Sequence, residues 1–142
     1  MDEGADPGVK YFSGTATYAK AVQVSAAWRA AGGRLLLDLG SVKSIADVRV
    51  NGRSVGYAWR PPFRVDVTDA VTTGMNNIEI RVSNLWPNRL IGDKQPGVAR
   101  KYAFAIFDPF RADSPLLPSG LLGPVRLVRV SSATTTSARN DR

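Results

Sequence analysis

Apolar and polar residues alternate along most of the chain. The alternation is clearest in segments 46–51, 63–68 and 78–83. A period of two is that of a β-strand with one face in a core and the other toward water. Segment 35–37 is instead three consecutive leucines, and this run predicts a strand that is more deeply buried.

Turn signals separate these segments at short intervals. Asn51-Gly52 is the strongest, because both residues tolerate the positive φ angles of a tight hairpin. An early strand is predicted over 15–24 and a closing strand over 124–130, whereas 26–31 forms at most one short helical turn. Many short strands with almost no helix indicate an all-β fold, a sandwich or jelly roll.

The residue inventory limits the chemistry that the chain can perform. Its 142 residues, 44% of them hydrophobic, suit one domain, which we place at 10–130 between a flexible N-terminus (1–9) and a disordered tail (131–142). There is no cysteine and no histidine, which excludes thiolate nucleophiles, imidazole proton transfer and Ser-His-Asp catalysis. Glutamate occurs only at Glu3 and Glu79. Aspartates could still supply a carboxylate pair, but no self-contained enzyme is predicted.

The charge and hydropathy of the chain limit the classes of partner and cofactor that the sequence predicts. The net charge is +7, but the arginines are scattered, so no nucleic-acid partner is predicted. No run approaches the roughly 20 apolar residues that span a bilayer, and the acidic N-terminus differs from a signal peptide. We therefore expect a cytoplasmic chain or one cut from a longer precursor. No cofactor is predicted, although a calcium site built from backbone carbonyls stays open.

Four phrases of the sequence carry a family resemblance. They are GTATYAKAVQV (14–24), the stretch from RLLLDLG to VDVTDAV (34–71), NNIEIRVSNLWPNRLIGD (76–93) and ADSPLLPSGLLGPVRL (112–127). Together they resemble the C-terminal β-sandwich of bacterial α-L-rhamnosidase-type enzymes of glycoside hydrolase family 106. More broadly, they are similar to the sugar-binding domain of family 2 glycoside hydrolases.

The resemblance implies a galactose-binding-like jelly roll that works beside a catalytic (β/α) barrel. In such enzymes the catalytic carboxylates lie on the barrel, so this chain alone is expected to be non-catalytic. The implied partners are a carbohydrate, plant-type or rhamnose-containing, and a barrel domain or a second copy of the chain. The implied parent enzyme is secreted or periplasmic.

The loop 84–93 holds the first group of candidate sugar-binding residues. Trp86 offers a flat apolar face for the C–H side of a sugar, and Asn88, Arg89 and Asp93 offer polar groups for its hydroxyls. A structural interpretation competes with this one. In it, Arg89 pairs with Asp93 to brace the loop and Trp86 closes the end of the sandwich.

Other aromatic residues give further candidates. Trp59 with Arg60, and Tyr102, are the remaining predicted sugar contacts. Tyr102 belongs to a cluster whose other members are Phe104, Phe107 and Phe110. The alternation over 102–106 predicts a strand that turns some of these rings inward, and packing is the commoner role for such residues.

Three hypotheses for function follow from these observations. The leading one is a non-catalytic carbohydrate-binding or accessory module of a glycoside hydrolase. The second is a structural interdomain or oligomerisation scaffold, which predicts an apolar patch over 102–110 and 115–122. The third is catalysis by a pair among Asp93, Asp108 and Asp113, which requires these carboxylates to converge in a cleft.

Overall fold

The computed structural model describes residues 6–30 and 32–131, and strands dominate this part of the chain. In chain order, the strands are β1 (Thr15–Val24), β2 (Arg34–Asp38), β3 (Ser41–Lys43), β4 (Ile45–Val50), β5 (Arg53–Ala58), β6 (Arg64–Asp66), β7 (Gly74–Ser83), β8 (Gly120–Gly123) and β9 (Arg126–Val130). The helices are α1 (Pro7–Lys10), α2 (Ala26–Ala30) and α3 (Pro87–Gly92). No helix in the described ranges is long and apolar enough to cross a membrane.

The strands form two main antiparallel sheets and a small ribbon. One sheet has the order β1-β7-β4-β5, the other has the order β6-β2-β9, and β3 pairs with β8. Strands β5 and β6 contact each other and close one side of the sandwich. Strands β1 and β9 are the opposite edges of their sheets. The predicted all-β sandwich is therefore confirmed.

The core lies between the sheets and uses the alternation seen in the sequence. In β4 and β7 every second residue is buried, including Val48 and Ile80, while their neighbours face outward. In β2, Leu35 and Leu37 are each 2% exposed, but Leu36 is only half-buried. The leucine run is thus buried mainly on one face, because β2 has the second sheet on that side only.

Two turns require residues with positive φ angles, and the sequence places glycine or asparagine at these positions. Asn51 and Gly52 have φ angles of 52° and 82° and join β4 to β5, so the predicted hairpin is confirmed. Gly40 has a φ of 65° and lies so close to Gly123 that an added Cβ would come within 2.4 Å of its carbonyl group. Only glycine fits there, since both the conformation and the close approach exclude a side chain.

Two predictions about the long segment after β7 are wrong. Residues 102–106 do not form a strand, and the side chain of Ile106 is 99% exposed. This segment has no neighbouring strand to pair with, so alternation alone does not fix its conformation. Conversely, α3 forms where a loop was predicted. Pro87 occupies its first turn, a position that favours helix initiation.

The predicted terminal segments lie largely outside the described residues. Of the N-terminal segment 1–9, residues 6–9 are described, and helix α1 begins at Pro7 with Asp6 as its N-cap. Of the tail 131–142, only Ser131 is described. The short helix predicted near residue 26 is present as α2, where Trp28 packs partly buried against the core.

Candidate functional site

The first feature of the candidate site is the buried carboxylate of Asp93, which ends α3. It is 4% exposed, and its Oδ2 accepts hydrogen bonds from the backbone amides of Tyr102 and Ala103, each at 2.8 Å. Its Oδ1 lies 2.7 Å from Nη2 of Arg89. Burial raises the pKa of Asp93, but the two amides and the guanidinium outweigh it, so the pKa lies below its usual value. Asp93 is therefore an ionised anchor for the loop that follows.

Arg89 and Arg100 flank one aromatic ring. The guanidinium carbons of both residues lie 5.2 Å from the centroid of the Tyr102 ring, within the range of cation–π attraction. Arg89 is further held by Asp93, whereas its Nε is buried without a hydrogen-bond partner among the described residues. The phenol of Tyr102 stays accessible, because the side chain is 68% exposed.

Two asparagines tie neighbouring segments to the region around α3. Asn84 accepts a hydrogen bond from the amide of Gly14 at 2.8 Å and donates to the carbonyl of Phe12 at 2.9 Å. Asn88 is 3% exposed and bonds to the backbone of Leu117. Each asparagine side chain thus supplies the backbone hydrogen bonds that a neighbouring strand would otherwise provide to these loop segments. The N-terminal segment and the segment around Leu117 are thereby both tied to the region around α3.

These ties leave an open groove of about 1250 Å³ between the N-terminal segment and the loop 95–104. Five aromatic side chains line it: Tyr11, Phe12, Trp86, Tyr102 and Phe104. Arg89 and Arg100 also line it. Trp86 is 60% exposed, so its indole face is available to a ligand.

The structure divides the predicted sugar-binding residues into separate groups. Trp86, Arg89 and Tyr102 share the groove. Asn88 and Asp93 do not present their polar groups to the groove, because both side chains are buried and hydrogen-bonded to the protein backbone. The prediction that they contact a sugar is therefore corrected: both side chains stabilise the loop. The predicted pairing of Arg89 with Asp93 is present, but Trp86 does not plug the sandwich, since most of its surface is exposed.

Trp59 and Arg60 lie in a different depression, formed by the connection between β5 and β6. This depression has a volume of about 380 Å³ and shares no residue with the groove. Trp59 is 64% exposed, and the guanidinium carbon of Arg60 lies 5.3 Å from its ring centroid. The groove and this depression nevertheless lie at the same end of the four-stranded sheet. Ala58, at the end of β5, pairs with Ala46, and Ala46 pairs with Val82 near the end of β7.

Sequence reasoning missed one wall of the groove. Tyr11 and Phe12 belong to a segment that was predicted to precede or begin the domain, and Arg100 was not distinguished from the scattered arginines. The signals that could have found α3 are Pro87 at its start and the four-residue spacing of Arg89 and Asp93, which suits a helix.

The aromatic cluster differs from its predicted packing. Phe104, Ile106 and Phe107 are 82%, 99% and 82% exposed, and only Phe110 is half-buried. The rings predicted to turn inward therefore form an apolar surface on the loop. The scaffold hypothesis predicts an apolar patch over 102–110 and 115–122, and these exposed residues lie in the first of the two segments.

The aspartates do not form a catalytic pair in which one carboxyl group is protonated and the other ionised. Asp108 lies 2.9 Å from Nζ of Lys94, which donates a hydrogen bond to it and lowers its pKa. Since the pKa of Asp93 is lowered as well, neither carboxyl group is held protonated as a general acid requires. Asp113 lies exposed on the surface. Within 6–30 and 32–131, no group of three or more potential metal ligands is present.

Comparison with known proteins identifies the family. Residues 3–113 match the family described as glycosyl hydrolases family 2, sugar binding domain. The chain belongs to this family. The matched range contains α3 and the groove, and it ends before β8 and β9.

Longer proteins contain domains similar to this sugar-binding domain. The structure of a rhamnosidase from Novosphingobium sp. PP1Y matches with a TM-score of 0.78 and 50% identity, over 88% of this chain and 12% of that chain. A protein of Formosa agariphila provisionally named beta-glucuronidase is 43% identical over 84% of this chain and 12% of its own length. A beta-glucuronidase from an uncultured Clostridium sp. matches with a TM-score of 0.50 and 28% identity, over 56% of this chain and 14% of that chain. The chain thus spans about an eighth of the length of these relatives.

Proposed function

We propose that this domain is a non-catalytic accessory module of a rhamnosidase-type glycoside hydrolase, and that its groove recognises carbohydrate. The observation that carries the proposal is the accessible indole face of Trp86 in an open groove that the exposed side chain of Tyr102 also lines. Sugars bind such faces through their C–H surfaces, and nearby guanidinium groups supply hydrogen-bond donors for hydroxyls.

The rhamnosidase assignment of the parent rests on similarity. The domain shares 50% identity with the Novosphingobium rhamnosidase over most of its length, which supports the family 106 resemblance of its sequence motifs. In this proposal the catalytic carboxylates belong to another part of a longer protein. The groove then binds one residue of the substrate glycan beside that catalytic domain, and the glycan as a whole contains rhamnose.

Titration of the chain with rhamnose-containing oligosaccharides, followed by two-dimensional NMR of the tryptophan indole N–H groups, tests the proposal. Three tryptophans are present, and they report on different places: Trp86 on the groove, Trp59 on the second depression and Trp28 on the core. We expect a shift at Trp86 with a dissociation constant of about millimolar order, because a single small groove must offset the cost of ordering the sugar.

The matched variants are Trp86→Ala and Trp59→Ala. Loss of an aromatic platform should weaken binding about three- to tenfold in the first variant and leave it unchanged in the second. A shift confined to Trp59 would move the site to the β5–β6 depression. No shift at either residue with any oligosaccharide would refute sugar recognition by this chain.

A scaffold role is the second candidate, and the exposed patch of Phe104, Ile106 and Phe107 favours it. Three large apolar side chains exposed within four residues of sequence are unusual on a free surface, and exposed apolar surface commonly marks an interaction site. The double variant Ile106→Ser/Phe107→Ser should then lower concentration-dependent association, measured by light scattering, without changing the sugar titration. Equal association of both proteins would remove the patch as a docking surface.

A further inference from the structure

The charged side chains that line the groove are both arginines. Apart from Arg89 and Arg100, the lining consists of aromatic, small and uncharged polar residues, and it includes no aspartate or glutamate. A groove for a neutral sugar commonly places carboxylates against the hydroxyls as acceptors, because a carboxylate accepts hydrogen bonds only. This lining offers donors instead.

The two arginines differ in how their charges are balanced. Arg89 forms an ion pair with the buried carboxylate of Asp93, which balances the positive charge of Arg89. Arg100 is exposed and forms no ion pair with any described residue, and its guanidinium lies over the Tyr102 ring. Within the described part of the chain, the groove wall therefore carries one guanidinium that has no carboxylate partner and lies over an aromatic ring.

Among the described residues, the N-terminal wall provides no ion pair for Arg100. Asp6 precedes this wall, and its carboxylate accepts a hydrogen bond from the amide of Gly8 at 2.6 Å at the start of α1. Lys10, on the same short helix, lies 5.5 Å from the ring centroid of Tyr11 and adds a further positive charge near that wall. With a net charge of +7, the chain as a whole also attracts anions.

We propose that the groove selects an anionic pyranose, whose carboxylate or sulfate group pairs with Arg100 while its ring packs on Trp86. This inference rests on the proposed function, since it names the class of sugar that the same groove takes. A guanidinium presents two parallel N–H donors that match the two oxygens of a carboxylate or sulfate, and a lysine or hydroxyl cannot reproduce this geometry.

The test compares a matched pair of ligands that differ only in their carboxyl groups, together with a sulfated ligand. The chain is titrated with a short oligogalacturonate, with the same oligosaccharide after reduction of its carboxyl groups, and with a sulfated galactan oligosaccharide, and the indole shift of Trp86 is followed. We expect the anionic ligands to bind about tenfold more tightly than the reduced one at low salt, and the difference to shrink as salt screens the exposed pair. The stronger of the two anionic ligands identifies which acidic group is preferred.

The matched variants are Arg100→Gln and Arg53→Gln. Both remove one positive charge, but Arg53 lies beside the β4–β5 hairpin, at the opposite end of the sheet from the groove. Arg100→Gln should bring the anionic ligands to the affinity of the reduced one, whereas Arg53→Gln should preserve the tenfold difference.

The outcomes separate this inference from the proposed function. Equal affinity for the acidic and the reduced oligosaccharide would overturn the anionic preference and leave sugar recognition intact. Absence of binding by all three and by rhamnose-containing oligosaccharides would overturn both. If single-stranded DNA competes as strongly as the acidic sugar and depends equally on Arg100, the groove is a general polyanion surface, and the assignment to an anionic sugar is wrong.

Discussion

Asn88 makes both hydrogen bonds of its side-chain amide with the backbone of Leu117. Its Nδ2 donates to the Leu117 carbonyl at 2.8 Å, and the Leu117 amide donates to its Oδ1 at 2.8 Å. The long segment after α3 is thereby fixed by a side chain that imitates one rung of a β-ladder. Because the contact joins residues 29 apart in sequence, it holds a loop that has no regular partner of its own.

Replacement of Asn88 by alanine should therefore lower the free energy of unfolding by about 2 kcal/mol, since it removes both hydrogen bonds to the Leu117 backbone together with a buried side chain. Chemical denaturation measures this loss. Asn77→Ala is the matched control, because Asn77 lies on the exposed face of β7, where a substitution changes the free energy of unfolding by about 0.5 kcal/mol or less. Similar losses in both variants would mean that the Leu117 contact contributes little.

The carboxylate of Asp93 gives a second prediction, for stability and its pH dependence. Asp93→Asn should cost about 2–3 kcal/mol at neutral pH, because it removes an ionised acceptor of two amides and leaves Arg89 without its counter-ion. The pKa of Asp93 is lower in the folded chain than its usual value. Its contribution is therefore complete above the unfolded pKa of about 3.9 and is lost as the pH falls through the folded pKa.

Denaturation of wild type and Asp93→Asn between about pH 2 and pH 7 measures this difference, which should shrink toward the acidic end. Asp113→Asn is the control, since Asp113 lies exposed on the surface. A difference between wild type and Asp93→Asn that stays constant over the whole range would contradict an ionised role for Asp93.

A third prediction concerns Asn76, a polar residue inside the core. It is 1% exposed; its Oδ1 accepts from the Thr72 amide at 2.9 Å and from Nδ2 of Asn51 at 3.0 Å, and its Nδ2 donates to the Thr72 carbonyl at 2.7 Å. Asn76→Ala should cost about 2–4 kcal/mol, because a buried side chain is removed and the backbone of Thr72 and the amide of Asn51 lose their hydrogen bonds together. Thermal and chemical denaturation test this. A loss no larger than that of the exposed neighbour variant Asn77→Ala would contradict it.

The strands could be predicted because their information is local. Segments 46–51 and 78–83 alternate since one side of each strand faces a single core, and Asn51-Gly52 accepts the positive φ angles of its hairpin. The same alternation places Asn76 in phase with Ile78 on the core face and Asn77 on the outer face. Nothing local, however, shows that the loop around Thr72 supplies the hydrogen-bond partners that a buried asparagine needs.

The candidate site was predictable only in part, for the same reason. Trp86 is recognisable as an aromatic residue in a polar loop. The second wall of the groove comes from Tyr11 and Phe12, which Asn84 draws in from a distant part of the sequence. The roles of Asn88 and Asp93 were likewise open in the sequence, since a polar group suits a sugar hydroxyl and a loop amide equally well. Only the long-range contacts decide between these uses.

The exposed edge strand β1 leads to the last prediction. β1 pairs with β7 on one side only, and Lys20 lies opposite Ile78, so its side chain is on the face of the sheet that carries the core. Lys20 is nonetheless exposed, because the sandwich is open along this edge. An inward-pointing charge on an edge strand opposes pairing with the edge of another molecule, since pairing would bury the ammonium group. Lys20→Val should therefore increase self-association, with a larger dimer fraction than wild type at equal concentration in analytical ultracentrifugation.

The control is Thr17→Val, which adds a β-branched apolar residue to the opposite face of the same strand. If it associates as strongly as Lys20→Val, added hydrophobicity and not the position of the charge controls the edge, and if neither variant associates more than wild type, Lys20 does not guard it.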